Sequence, residues 1–240
     1  MDPVEFARTR LGFEPDERQA EVMRSQTKRG ILNCSRQWGK STVAAAMAVH
    51  RAATRPGCEV MVGSPSGRQS GELLRKAEKM VRQMGMKVER DGTNEISIQF
   101  KNGSRIVGLP GKEGRIRGFS ASLLLFDEAA YMEDETYESL RPLIATTEGD
   151  IWMMSTPNGR QGFFYRTWAY GGDEWLKVRG PATDCPRISK KFLEEEREAM
   201  GPVRFPQEYL CEFTEAEGAM FDRLVITRAV HKSLKMVDLA

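Results

Sequence analysis

Short apolar runs, each followed by a polar turn, recur along the chain. Gly30–Cys34, Glu59–Gly63, Leu123–Phe126 and Ile151–Met154 are too short for helices and do not alternate polar with apolar, which predicts strands buried on both faces. Between them the spacing turns helical. Glu14–Gln26 opens on Pro15-Asp16, a plausible cap. Ser41–Thr54 is Ala-rich and stopped by Pro56-Gly57. Gly71–Met84 sets Leu73, Leu74, Ala77, Met80, Val81 and Met84 at helical intervals. Glu133–Ile144, Gln161–Tyr170 and Ser189–Met200 read as further helices, the last closed by Gly201-Pro202. Lys101-Asn102-Gly103 between Glu95–Phe100 and Ser104–Leu109 predicts a hairpin, and Trp175–Val178 an edge strand. Buried strands alternating with helices imply an α/β fold with a mostly parallel central sheet flanked by helices. The pattern weakens past Phe213, so residues 1–213 are expected to form the main domain and 214–240 a linker or small helical segment.

Composition narrows the classes of function. The 240 residues contain no run approaching eighteen apolar positions, so no membrane span is expected, and Met-Asp-Pro-Val-Glu-Phe at the start lacks the order of a secretory signal. Cys34, Cys58, Cys185 and Cys211 lack metal-site spacing and read as reduced thiols. With only His50 and His231, histidine chemistry is an unpromising engine. Charge is unevenly spread: residues 1–118 hold 22 Lys and Arg against 13 Asp and Glu, while residues 119–240 hold 14 against 21. A basic half fits a polyanionic ligand, nucleotide or nucleic acid, and fits equally a set of solvated helix faces.

The chemistry concentrates after three of the buried runs. Cys34-Ser35-Arg36-Gln37-Trp38-Gly39-Lys40-Ser41-Thr42 lies between a predicted strand and a predicted helix. In a phosphate-binding loop the backbone N–H groups wrap the phosphates, the Lys meets the β/γ oxygens and the hydroxyl takes magnesium. Gly39-Lys40-Ser41 is intact, but Cys34 stands where the usual first glycine would be. Leu123–Phe126 ends in Asp127-Glu128, the expected second half: Asp127 to hold magnesium, Glu128 to polarise the attacking water. The plainer reading is a solvated acid pair at a turn. Ser155-Thr156-Pro157 closes the next run, where a hydroxyl could orient that water or where a simple turn could end a strand.

Taken in order, these segments resemble the ATPase domain of large terminase subunits, the DNA-packaging motors of tailed bacteriophages. Ser35–Thr42 is similar to that family's deviant Walker A, which explains Cys34; Leu123–Ala129 is similar to its Walker B; Met154–Gly159 is similar to its coupling motif. Arg115-Ile116-Arg117-Gly118 precedes Walker B as the family's Arg-Gly segment does, and Gln207–Leu210 with Glu212-Phe213 resembles the segment closing the domain. The resemblance spans about Pro15 to Phe221. It implies a P-loop NTPase of the ASCE/RecA-like type that hydrolyses ATP with Mg2+ to drive double-stranded DNA into a procapsid. Nucleotide contacts would come from Ser35, Arg36, Gln37, Trp38, Gly39, Lys40, Ser41 and Thr42, metal contacts from Ser41 and Asp127, and coupling from Ser155 and Thr156. Arg36 would touch or sense the γ-phosphate, or else pair with a nearby acid. Gln19 resembles the adenine-reading glutamine of related ATPases, although a helix-surface role is open to it. Arg117, with Arg115 as rival, would serve a neighbouring subunit as an arginine finger, worth about 10³–10⁵ in rate where such residues are known; both could instead meet DNA phosphates.

The implied partners are DNA, the portal protein, the small terminase subunit and further copies in a pentameric ring, with no membrane. The implied location is the host cytoplasm, transiently at the procapsid portal. Large terminases continue into a nuclease domain, for which these residues show no leftover acid constellation, so no nuclease activity is expected. A helicase-like remodelling ATPase would need tandem motor domains, a P-loop kinase would need a lid and an acceptor pocket, and a non-catalytic nucleotide-binding assembly module would bind ATP without turnover.

Overall fold

The computed structural model describes residues 1–90, 92–93, 96–109 and 118–214. Helices α1 (Pro3–Arg10) and α2 (Glu17–Arg24) precede strand β1 (Arg29–Cys34). Then come α3 (Lys40–Thr54), β2 (Glu59–Gly63), α4 (Gly67–Gln83), β3 (Ser97–Gln99) and β4 (Arg105–Gly108). Strand β5 (Ala121–Asp127), α5 (Asp134–Leu140), β6 (Asp150–Ser155), α6 (Gly162–Tyr170), β7 (Leu176–Gly180) and α7 (Lys190–Leu210) complete the order.

The sheet runs β3-β4-β2-β5-β6-β1-β7. Among the named strands of the described residues, β3 and β4 pair antiparallel and the other pairs are parallel. Strand β6 lies between β1 and β5, pairing Asn33 with Ser155 and Asp127 with Met154. The three motif-bearing strands are therefore neighbours, and their C-terminal ends share one edge.

The apolar runs are continuous because both faces are covered. Leu32, Val60, Val62, Leu123, Leu125, Trp152 and Met154 join the cluster under α1–α4. Ile31, Met61, Leu124, Phe126, Ile151 and Met153 join the cluster under α5 and α6. Each such side chain stabilises the fold by about 1.5–3 kcal/mol relative to exposure. Gly30 has a packing reason: a Cβ there would come within 2.3 Å of the Trp152 ring.

Most expected elements are present, with four instructive differences. Asp2 caps a first helix, α1, that the pattern did not announce, accepting from Val4 and Glu5 N–H at 3.0 Å. Helix α4 starts four residues earlier than expected, capped by Ser66. The expected helix 133–144 tightens after Leu140 into a 3-10 turn, Arg141–Ile144, at Pro142. Gly201-Pro202 kinks α7 instead of ending it: Gly201 adopts φ 72°, ψ −177°, and helix resumes to Leu210. The four cysteines are free thiols. Residues 215–240, most of the expected C-terminal segment, lie outside the described residues, as do Arg115 and Arg117.

Candidate functional site

The loop between β1 and α3 is shaped by two left-handed residues, Gln37 (φ 61°) and Gly39 (φ 98°). At Gly39 a Cβ would also press on Gln19 Nε2 at 2.7 Å, so glycine is needed twice over. The loop is tied down from behind. Ser35 N–H donates to Gly180 O (2.9 Å) and Arg36 N–H to Glu208 O (3.2 Å). Lys40 and Ser41 open α3, and the first N–H groups of a helix have no intrahelical acceptor. They are the backbone donors offered to an anion, with the helix dipole behind them.

Lys40 is buried, and its Nζ donates to the carbonyls of Cys34 (3.1 Å) and Ser35 (3.0 Å). Ser41 Oγ donates to Asp127 Oδ1 at 3.3 Å. Asp127 is 5% exposed. Burial, then the neighbouring Glu128 charge, pushes its carboxyl up to about 6, against the Ser41 hydrogen bond and the Lys40 and Lys76 charges. A hydroxyl and a buried carboxylate are hard oxygen donors, the kind that Mg2+ takes. Among the described residues no group of three or more His, Cys, Asp or Glu could hold a metal alone.

Glu128 follows β5 in the left-handed region (φ 52°), a conformation costly for glutamate and typical of functional sites. The turn sets it on the wall of a cavity of about 530 Å3, which Arg36, Gln37, Gly39, Lys40, Ser41, Thr42, Gln69, Lys76, Tyr131 and Thr156 also line. Ser155 Oγ donates to Glu128 Oε2 at 3.4 Å, and Thr156 Oγ1 lies 3.5 Å from Tyr131 OH. Thus the ends of β1, β5 and β6 bring together Lys40, Ser41, Asp127, Glu128, Ser155 and Thr156.

Three expected contacts sit in other company. Arg36 lines the cavity but clamps Glu208, with Nε to Oε2 at 2.6 Å and Nη2 to Oε1 at 3.4 Å. Trp38 is buried, its ring against Gly180, where a Cβ would come within 2.5 Å of Nε1. Gln19 is buried: its Oε1 accepts from Asp16 N–H (3.0 Å) and its Nε2 donates to Trp38 O (2.8 Å). Arg187 closes this ring, donating to Trp38 O (2.8 Å) and Asp16 Oδ2 (2.9 Å). Ser35 Oγ is fully buried without a hydrogen-bond partner among the described residues.

Sequence reasoning missed Gln69, Lys76, Tyr131, Arg187 and Glu208. Gln69 and Lys76 stand seven apart on one face of α4, a spacing visible in the sequence but ordinary for a solvated helix. Glu208 lies in a recognised segment, but nothing in the sequence names its partner.

The chain also resembles known proteins along most of its length. Residues 31–228 match the family model described as the N-terminal region of the T4likevirus-type terminase large subunit. The terminase large subunit of Escherichia phage T5 is 26% identical over 233 residues, covering 92% of this chain and 52% of the relative. That of Thermus virus P23-45 is 23% identical, covering 89% and 52%. The chain spans about half the length of the curated relatives it matches. Among solved structures, the large terminase ATPase domain of Thermus phage P74-26 superposes with a TM-score of 0.77 at 22% identity, over 89% of this chain and 100% of that one. The large terminase of another thermophilic bacteriophage, in complex with ADP, gives 0.69 at 18% identity, over 82% and 53%. These likenesses show the RecA-like P-loop fold, and the family match shows more: the chain belongs to the T4likevirus-type terminase large subunits.

Proposed function

We propose that this chain is the ATP-hydrolysing part of a motor that drives double-stranded DNA into a viral procapsid. The observation that carries the proposal is the cavity itself, which sets a strained, hydroxyl-bonded carboxylate, Glu128, in the same space as a helix N-terminus and Lys40. Phosphate oxygens would compete with the carbonyls of Cys34 and Ser35 for the Lys40 ammonium. Ser41 and Asp127 would hold Mg2+, which when bound neutralises charge on the phosphates. Glu128 would orient and polarise the attacking water, with Ser155 holding its carboxylate in place. Tyr131 and Thr156 would register loss of the γ-phosphate at the end of β6. Arg36 would add positive charge from the loop side, and Arg117 would act on the neighbouring subunit's nucleotide.

Further copies in a ring, the portal protein, the small terminase subunit and DNA are the partners proposed, with DNA held mainly through its phosphates and so in a salt-dependent way. Among the described residues no helix is long and apolar enough to cross a membrane. The host cytoplasm, with transient docking on the procapsid, is the location proposed.

The direct test is phosphate release by the purified chain with Mg2+ and ATP. Glu128→Gln should abolish turnover while fluorescent nucleotide still binds, and Lys40→Ala should weaken binding itself. Nucleotide binding without turnover in the wild type, at every protein concentration tried, would reduce the chain to a binding module.

A further inference from the structure

Helix α4 forms a wall of the nucleotide cavity that the recognised motifs do not explain. Gln69 and Lys76 line it beside Lys40, Ser41 and Glu128. Seven residues make two helical turns, so the two side chains share a face. Gln69 is engaged at the start of the helix, its Oε1 accepting from Ser66 Oγ at 2.9 Å. Lys76 is differently placed. Glu72, one turn before it, lies against Arg68 (3.9 Å) and Arg75 (3.6 Å). Glu78 is held by Arg90 (2.7 Å) and Arg82 (3.5 Å). Among the described residues Lys76 enters no ion pair of its own, and it lines the cavity together with Glu128.

The charges lining the site sharpen the point. Arg36 is paired with Glu208, whereas Lys40 bonds only to backbone carbonyls. Lys40 and Lys76 are thus the lining cations without a carboxylate partner at hydrogen-bond distance among the described residues, and Glu128 lines the same cavity. A magnesium triphosphate entering this space is still anionic. A cation on a flexible four-carbon stem, anchored on a rigid helix, can follow the charge as it spreads over the γ-phosphoryl oxygens.

We propose that Lys76 is a further catalytic residue, a cation supplied in cis from α4 that stabilises the transferring phosphoryl group. This rests on the ATPase reading above. Because the helix is rigid and the stem flexible, Lys76 should matter more as charge accumulates than on binding the ground-state nucleotide.

The test compares Lys76→Ala, Lys76→Arg and Lys79→Ala in the full chain. Lys79 is an exposed cation on the same helix that does not line the cavity, so it controls for loss of general positive field. Lys76→Ala should lower kcat roughly 10- to 100-fold, less than loss of a rigid oxyanion donor. Nucleotide affinity should stay within about twofold, the pattern of an interaction made in the transition state. Lys76→Arg should recover part of the rate, and Lys79→Ala should match the wild type. Equal losses at 76 and 79, a loss confined to nucleotide affinity, or weaker DNA binding with turnover intact would each overturn the proposal. A wild type that does not hydrolyse ATP, or a Lys40→Ala variant that hydrolyses it normally, would instead remove the ATPase reading beneath it.

Discussion

Asp127 is a buried carboxylate whose charge is costly to the fold. A carboxyl held near 6 in the folded state and near its ordinary 3.8 when unfolded binds its proton more tightly in the fold. Its contribution to stability therefore falls as pH rises from about 4 to 6, and above that window ionised Asp127 costs the fold roughly 2–3 kcal/mol. In buffer with EDTA and no nucleotide, Asp127→Asn should be the more stable protein at pH 7.5 by about that amount, and the gap should narrow at pH 5. Thermal unfolding at both pH values measures it; an Asn variant no more stable at pH 7.5 counts against a cation-seeking carboxylate. Saturating Mg2+ and ATP should narrow or reverse the gap, because the wild type would gain more of the ligand's linkage energy than the variant.

Gln19 calls for a different test at the same scale. Its carboxamide is engaged within the ring of Asp16, Trp38 and Arg187, so here it braces the loop between β1 and α3. Gln19→Ala should therefore weaken ATP and GTP binding by similar factors, as seen in paired competition titrations. Selective loss of ATP affinity would return Gln19 to reading adenine.

Among the elements, α7 does what its sequence conceals. Gly201-Pro202 looks like a helix stop, and in isolation it would be one. Because Gly201 accepts a conformation nearly closed to other residues, the chain bends and resumes, and its second half delivers Glu208 beneath the loop. A Cβ at Gly201 would meet nothing within 4 Å, so the cost of Gly201→Ala is backbone strain alone, about 1–3 kcal/mol. Urea denaturation should show that loss; an unchanged midpoint would mean the bend tolerates other residues. The same contrast explains what was legible in the sequence. The phosphate loop, the Asp127-Glu128 pair and Ser155-Thr156 each follow a buried strand, so local pattern placed them. The Arg36–Glu208 clamp joins residues 172 apart and the Arg187–Trp38 contact residues 149 apart. Only tertiary packing makes such pairs, and the polar partners carry no periodicity that would announce them. Helix α1 was invisible for another reason: eight residues with three buried are too few to set a pattern.

For the whole molecule, the question is whether one subunit completes its own site. The described chain leaves β4 at Leu109, and β4 lies four strand spacings from β1, roughly 19 Å across the sheet. It returns at Gly118, just before β5 begins, at the edge opposite the phosphate loop; Ser120 N–H there donates to Glu59 at the start of β2. Seven residues of β5 separate that point from Asp127, about 23 Å of strand. Arg117 itself lies outside the described residues, and its proposed service to a neighbouring subunit is a matter for the assembled ring. Mixing Arg117→Ala with Glu128→Ala tests this: each variant alone should be inactive, and the mixture should regain part of the turnover, because some junctions pair an intact Glu128 with an intact Arg117. The regained rate should rise with total protein concentration as junctions form. No recovery at any ratio, with both variants soluble and binding ATP, would place the arginine within its own subunit or on DNA. Repeating the titration with Arg115→Ala decides which of the two arginines crosses the junction.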